Sequence, residues 1–283
     1  YMRIINMTNI YKIIKSTTIE NGLKRALSTG DFGVKHSNSN KVGVAQVLNR
    51  LTYISSLSHV RRISTPTDKS GKLIPPRKLH NTSWGYLCPA ETPEGQSVGV
   101  VKNLSYMTHI SIHSESEPLY KYIVPHLREA EFLTPNEVFN KVKVFINGNM
   151  IGVSEYPIDL YQNLKDMKHN GIINIYTSIV FDYKFKELRI CNDSGRLCRP
   201  VLRVKNNRLV INRDHIMALK SRKLIWEDLL TNSNIDESVV EYIDPEEQSW
   251  ALIGTNPSDL INQKNPNQIL KFTHMEIHPS TIF

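Results

Sequence analysis

The chain is poor in cysteine and has no long apolar run. Only Cys88, Cys191 and Cys198 occur in 283 residues, too few for a disulfide framework and without the nearby Cys/His pairs that a tetrahedral zinc site needs. A disulfide-stapled secreted scaffold and a zinc ribbon are thereby excluded, and a reducing intracellular setting is expected. No stretch of 18 uncharged apolar residues is present, which excludes a bilayer-spanning helix of ordinary length. No cationic segment leads into an apolar one at the start, so nothing marks the chain for secretion. Internal repeats and Gly-rich phosphate-binding loops are also missing. The chain opens on Tyr1 and closes on Ile282-Phe283 with no polar tail, and it is expected to be an excerpt of something longer.

What is there is ordinary globular material with a lopsided charge. Hydrophobic residues make up 40% and charged residues 22%, enough for one large or two to three small domains. The net charge is +8. Residues 1–105 hold 15 Lys and Arg against 5 acids, a net of +10, while the remainder holds 20 against 22, a net of −2. The basic excess belongs to the N-terminal third, where nucleic acid or nucleotide phosphates are expected to bind.

The pattern predicts an α+β fold, a mixed helical and loop segment followed by small α+β modules. Thr17 and Glu20 have the spacing of a capping box for a helix over Thr18–Ser28, closed by Gly30. A second helix is expected from the apolar stripe Val44, Val47, Leu48, Leu51 and Ile54. Ser64–Pro76, with three prolines and a glycine, reads as a loop that no helix accommodates. Beyond it, Arg77–Gly99 is dense in polar and turn residues. Val142–Ile146 and Met150–Val153 flank Asn147-Gly148, a type I′ hairpin signal. Pro157 starts a helix carrying Leu164, Lys165 and Lys168 and ending at Asn170-Gly171. Strands are expected over 172–176, 178–181 and 187–191, a hairpin of 201–204 with 208–211, a helix over 226–230 and a strand over 239–243.

Two basic clusters, Arg61-Arg62 and Lys69, Lys72, Arg77 and Lys78, flank the Pro/Gly segment. They read either as phosphate contacts, because guanidinium forks match phosphate oxygens, or as a solvated face. His59, His80, Glu91 and Glu94 lack metal-ligand spacing, since Pro93 separates the two carboxylates and His59 and His80 form no His-x3-His pair. Glu94, between Pro93 and Gly95, leaves room for close approach of a ligand. Cys88 has no Cys/His/Asn arrangement beside it and reads as a small buried thiol. Physical reading alone stops at a basic, nucleic-acid-facing platform with an α+β attachment and no catalytic constellation.

The strings Gly43-Val44-Ala45-Gln46-Val47-Leu48-Asn49-Arg50, Leu57-Ser58-His59-Val60-Arg61-Arg62, Pro76-Arg77-Lys78-Leu79-His80-Asn81-Thr82-Ser83-Trp84-Gly85 and Cys88-Pro89-Ala90-Glu91-Thr92-Pro93-Glu94-Gly95-Gln96 resemble the second-largest, beta-type subunit of multi-subunit DNA-dependent RNA polymerases, in its eukaryotic, archaeal and large-DNA-virus forms. The resemblance continues through 145–153, Asp193–Arg196, Arg199-Pro200, 240–247 and 272–279. It implies the end of a preceding lobe at 1–16, a fork domain at 17–123, external domains at 124–193 and 194–268, and the start of a hybrid-binding domain at 269–283. Lys35–Lys41 would be the first fork loop and Thr65–Pro75 the second. Arg77 and Glu94 would lie near the incoming nucleotide, and Gln46, Arg61, Arg62, Lys69, Lys72 and Lys78 would face nucleic acid. Lys78 stands where close eukaryotic relatives carry Gln.

The resemblance further implies RNA synthesis from ribonucleoside triphosphates on a DNA template with an RNA–DNA hybrid. The partners would be the largest subunit and smaller ones, with no membrane. Mg2+ would be held mainly by the largest subunit, and zinc by a C-terminal part of the parent subunit outside this stretch. No catalytic residue and no metal ligand is expected here, so the stretch alone should be inactive. The setting would be a nucleus, or a viral factory or virion. The alternative is a non-catalytic nucleic-acid-binding scaffold that reuses the fork architecture.

Overall fold

The computed structural model describes residues 14–32, 45–65, 73–129, 132–232, 234–261 and 271–283. It divides into two compact units, residues 1–62 and 63–283. The first fork loop, Lys69 and Lys72 lie outside the described residues, as do 66–72 of the second loop.

In the first unit, helix α1 spans Ser16–Thr29 and ends on Gly30 at φ 67°, the left-handed conformation that glycine adopts without a Cβ penalty. The expected Thr17 cap does not form. The helix starts two residues earlier than the pattern implied, Lys15 occupies the cap position without a side-chain bond, and Glu20 instead pairs with Lys24 at 2.6 Å. Helix α2 spans Tyr53–Val60, not the longer stripe from Val44. The reason is local: the Asn49 side-chain oxygen accepts the Leu51 N–H at 3.0 Å, a turn that competes with helix. Thr52 and Ser55 then exchange side-chain and backbone bonds at 3.1 and 2.9 Å, a capping box that sets the true start. Val47 and Leu51 are 94% and 87% exposed. Strand β1, Arg62–Ser64, follows, with only its first residue in this unit.

In the second unit, Pro75–Arg77 forms a single 3-10 turn, which corrects the expectation that no helix fits there. Prolines are tolerated at the first two helical positions because those N–H groups would be unpaired anyway. Next come β2 (Val101–Asn103), β3 (His109–Ile110), α3 (Glu117–Ile123), β4 (Leu127–Arg128) and α4 (Pro135–Asn140). Strands β5 (Val142–Ile146) and β6 (Asn149–Ser154) form the hairpin anticipated, with Asn147 at φ 49° and Gly148 at φ 83°, as a type I′ turn requires. Helix α5 runs from Pro157 to His169, followed by β7 (Ser178–Asp182) and β8 (Glu187–Cys191). These strands make a five-stranded sheet in the order β4-β6-β5-β8-β7, with only β5 and β8 parallel. Leu119 and Ile123 of α3 and Leu160 and Leu164 of α5 pack on Val144, Ile146, Leu188 and Ile190 of the sheet, the alternate positions that face one side. The strand expected over 172–176 is a turn: the Asn174 side chain accepts the Tyr176 N–H at 2.9 Å, and both Ile172 and Ile173 donate back to Met167.

The second sheet is organised around β9 (Leu197–Lys205), which pairs with β3, β10 (Arg208–Leu209), β11 (Val240–Ile243) and β13 (His274–Met275), while β12 (Ile253–Gly254) lies parallel to β13. Asn206 and Asn207, at φ 52° and 58°, turn β9 into β10 as the Asn pair implied. Helix α6 (Arg213–Lys220), capped by Asn212, was not anticipated. The stretch 226–230 contains only a 3-10 turn, Glu227–Leu229. Short helices α7 (Pro245–Trp250) and α8 (Pro257–Ile261) complete the α+β fold. Among the described residues no helix is long and apolar enough to cross a membrane.

Asp244 joins these parts. Its side chain caps α7 through the Glu247 N–H at 2.8 Å and takes Arg196 Nη1 at 3.2 Å, and it is buried. Asp244→Ala is expected to lower stability by about 1–2 kcal/mol, the usual cost of losing an N-cap, seen as a lower urea midpoint at unchanged slope. An unchanged midpoint would contradict the role.

Candidate nucleotide and nucleic-acid interface

In the second unit the candidate residues sit on an arch between the Pro75–Arg77 turn and β2. Glu94 is exposed and occupies the cap of a second 3-10 turn, Gly95–Ser97. The Arg77 guanidinium ties the two turns together: Nη1 donates to the carbonyls of Gln96 at 2.6 Å and Val98 at 2.9 Å, and Nε to that of Leu73 at 3.2 Å. Gly99 has φ +69°, and a Cβ there would meet the Arg77 carbonyl oxygen at 2.3 Å, so the close approach depends on glycine. The Thr92 hydroxyl donates to Val101 O at 3.1 Å and accepts the Gly99 N–H at 2.9 Å. Asn103 donates to Glu91 O at 3.2 Å, and Cys88 Sγ accepts the Glu91 N–H at 3.3 Å. The arch is thus fastened on both limbs, with Glu94 near its apex and exposed Lys78 beside Arg77. A hollow of about 90 Å³ under it is lined by Arg77, Lys78, Cys88, Glu91 and Lys102, among others.

The arch is anchored to the second sheet by a buried ion pair. Arg199 of β9 donates to both oxygens of Glu276, at 2.6 and 2.8 Å, and through Nε to Gln248 at 2.8 Å. Trp84 Nε1 donates to Glu276 at 3.2 Å, and the Tyr86 hydroxyl donates to Ile243 O at 3.2 Å. The Arg199 guanidinium lies 5.6 Å from the Tyr86 ring centroid, and a Cβ on Gly85 would come within 2.7 Å of it. Three stretches singled out in the sequence, 76–85, Arg199-Pro200 and 272–279, therefore meet at one charge pair.

In the first unit His59 joins α2 to the extended stretch before it. Its Nδ1 accepts the Asn49 N–H at 3.1 Å, so Nε2 carries the proton donated to Gln46 Oε1 at 3.0 Å. Gln46 is thereby held near the end of α2, where half-buried Arg61 caps the helix and exposed Arg62 begins β1. His80 is also structural: its Nδ1 accepts the Thr82 N–H at 3.3 Å. Burial pushes the Cys191 and Cys198 thiols up to about 11, so both stay protonated at neutral pH and are poor nucleophiles. Among the described residues no three His, Cys, Asp or Glu side chains gather as metal ligands.

Sequence reading missed Thr92, Asn103 and Gly99 as the fastenings of the arch. Only Gly99 carried a signal, as a glycine closing a polar, turn-rich run.

Family models match three consecutive stretches: RNA polymerase Rpb2 domain 3 at residues 46–110, domain 4 at 144–205 and domain 5 at 226–279. The chain belongs to the Rpb2 family of RNA polymerase subunits. It is 40% identical over 278 residues to DNA-directed RNA polymerase II subunit RPB2 of Encephalitozoon cuniculi, covering 97% of this chain and 24% of that protein. It is equally 40% identical to DNA-directed RNA polymerase II subunit 2 of Arabidopsis thaliana, covering 97% of this chain and 23% of that one. DNA-directed RNA polymerase subunit 2 of Acanthamoeba polyphaga mimivirus is 35% identical over 302 residues, covering 97% and 24%. The chain thus spans about a quarter of the length of these Rpb2 relatives. The arch falls within the domain 3 match, most of the first sheet within domain 4, and β11–β13 within domain 5.

Proposed function

We propose that this chain works as part of the second-largest subunit of a DNA-dependent RNA polymerase, in RNA synthesis from ribonucleoside triphosphates on a DNA template. The observation that carries the reading is the Arg77-clasped arch inside the domain 3 match. A guanidinium fixed between two turns puts a positive charge in one place without reorganisation, which is what a triphosphate with developing charge requires. Arg77 supplies that charge beside the nucleotide and keeps the arch closed, and Glu94 shapes the surrounding polar network. Gln46, Arg61 and Arg62 face the phosphates of the RNA–DNA hybrid, and Lys69, Lys72 and Lys78 add basic contacts to nucleic acid.

The partners are the largest subunit and the smaller ones, and the setting is a nucleus or a viral factory. The magnesium that activates the reacting groups is supplied chiefly by the largest subunit. The modules run as a fork over 17–123 and external domains over 124–193 and 194–268. The test is assembly: the parental subunit is combined with the largest and smaller subunits on a DNA template bearing an RNA primer, and primer extension is followed. Template-dependent extension that is lost when this subunit is omitted is expected. Nucleic-acid binding with no extension in the complete assembly would favour a non-catalytic scaffold.

A further inference from the structure

A cavity of about 310 Å³ opens between α5, β7 and the second sheet, away from the arch. Its volume is at the lower end of small-molecule sites. Tyr161, Phe181, Tyr183 and Trp250 line it as a chain of rings with centroids 6.2, 4.5 and 6.1 Å apart in turn, and Phe272 stands among the other lining residues. Such walls offer flat surfaces at fixed angles, suited to a planar ring.

The polar groups are unequally satisfied. Both oxygens of Glu241 already accept: Oε1 from Lys165 at 2.7 Å, and Oε2 from His169 at 3.2 Å and His274 at 3.1 Å. Glu247 accepts from Lys165 at 2.7 Å, the Ile179 N–H at 3.1 Å and Lys168 at 3.3 Å. Every oxygen of the two carboxylates already accepts a hydrogen bond from a neighbouring side chain or backbone N–H. Donors remain. Among the described residues the Tyr161 hydroxyl makes no hydrogen bond, and Arg203 bonds Ser238 through Nη1 alone, at 2.8 and 2.7 Å. A site with paired carboxylates and spare donors selects a guest that accepts hydrogen bonds, most strongly one with a negative charge.

We propose that this cavity is a binding site for a small planar aromatic molecule bearing an oxyanion, a carboxylate or a phosphate. The ring stacks among Tyr161, Tyr183 and Trp250, and the oxyanion takes the Tyr161 hydroxyl and the Arg203 guanidinium. The inference stands on the cavity and does not depend on the role given to the arch.

The probe is 2-naphthyl phosphate, titrated against the full chain by fluorescence anisotropy, with 2-naphthol and inorganic phosphate as competitors. Saturable binding is expected, with each competitor at least about tenfold weaker because it satisfies only half of the site. Tyr161→Phe, which keeps the ring and removes the spare donor, is expected to weaken binding about tenfold, and Trp250→Ala by a similar factor. Arg77→Ala should bind as the parent does. The site is overturned if binding does not saturate, if inorganic phosphate competes as well as the probe, if Tyr161→Phe and Trp250→Ala bind unchanged while remaining folded, or if Arg77→Ala abolishes binding.

Discussion

Arg199→Met is expected to lower the unfolding free energy by about 3–5 kcal/mol, the cost of stripping one partner from a buried ion pair. Arg199 and Glu276 are each 3% exposed and joined by two hydrogen bonds of 2.6 and 2.8 Å. With arginine gone, the Glu276 carboxylate keeps, among the described residues, only the Trp84 indole N–H at 3.2 Å, too little to offset its desolvation. The substitution also removes the cation over the Tyr86 ring and the bond to Gln248. For a protein of this size the loss corresponds to a fall in Tm of roughly 6–20 °C. The double variant Arg199→Met with Glu276→Met should recover part of the loss, because no buried charge is then unpaired. A single-variant Tm within 2 °C of the parent would show that the pair is not buried as described.

Lys168→Met is expected to cost a similar amount, again about 3–5 kcal/mol. Lys168 is 2% exposed and reaches the Tyr242 carbonyl at 2.9 Å, Glu241 at 3.3 Å and Glu247 at 3.3 Å. Without it, the two buried carboxylates share one lysine, Lys165, with His169 and His274 still on Glu241 and the Ile179 N–H on Glu247. Burial by itself would push both carboxyls up, but Lys165 and Lys168 outweigh it and hold Glu241 well below, and Glu247 below, the usual carboxylate range. Folded-state values that are depressed mean that this stability is present above the ordinary carboxylate pKa and lost as pH falls through the folded one. In Lys168→Met the carboxyls bind protons more readily when folded. The stability gap between parent and variant should therefore narrow as pH drops toward 4, and a constant gap would rule out this coupling.

His169 adds a second acid sensitivity at higher pH. Burial lowers its pKa beneath the ordinary 6.5 despite the hydrogen bond to Glu241. Its contribution is full above that ordinary value and is lost as pH falls toward the folded one, at up to about 1.4 kcal/mol per pH unit. His169→Gln should flatten the stability profile just below pH 6.5. An unchanged slope there would assign the sensitivity to other groups.

Local signals were legible in the sequence wherever one or two residues decide the conformation. Asn147-Gly148 and Asn206-Asn207 set left-handed turns, Pro157 starts α5 and Gly30 ends α1. The misread elements are those in which a side chain captured the backbone. Asn49 and Thr52 moved the start of α2, and Asn174 converted an apolar run into a turn. A hydrophobic period carries no record of such capture. The motif strings were readable as a family resemblance, and Arg77 and Glu94 as candidates, but not the geometry linking them. Arg77 reaches its carbonyl partners across 19 and 21 residues. Lys165 and Lys168 stood out as helix residues, while their carboxylates lie 76 and 79 residues away, a pairing visible only once the two sheets are built.

The most direct measurement is the apparent nucleotide affinity of the assembled polymerase carrying Arg77→Ala, read from single-nucleotide addition on a primed template. Loss of the clasping guanidinium removes both the fixed charge and the tie between Leu73, Gln96 and Val98. A weakening of about 5- to 150-fold is expected, equivalent to about 1–3 kcal/mol for charge-assisted hydrogen bonds. An affinity equal to that of the parent enzyme, in a complex that still assembles and extends primer, would contradict the place given to the arch.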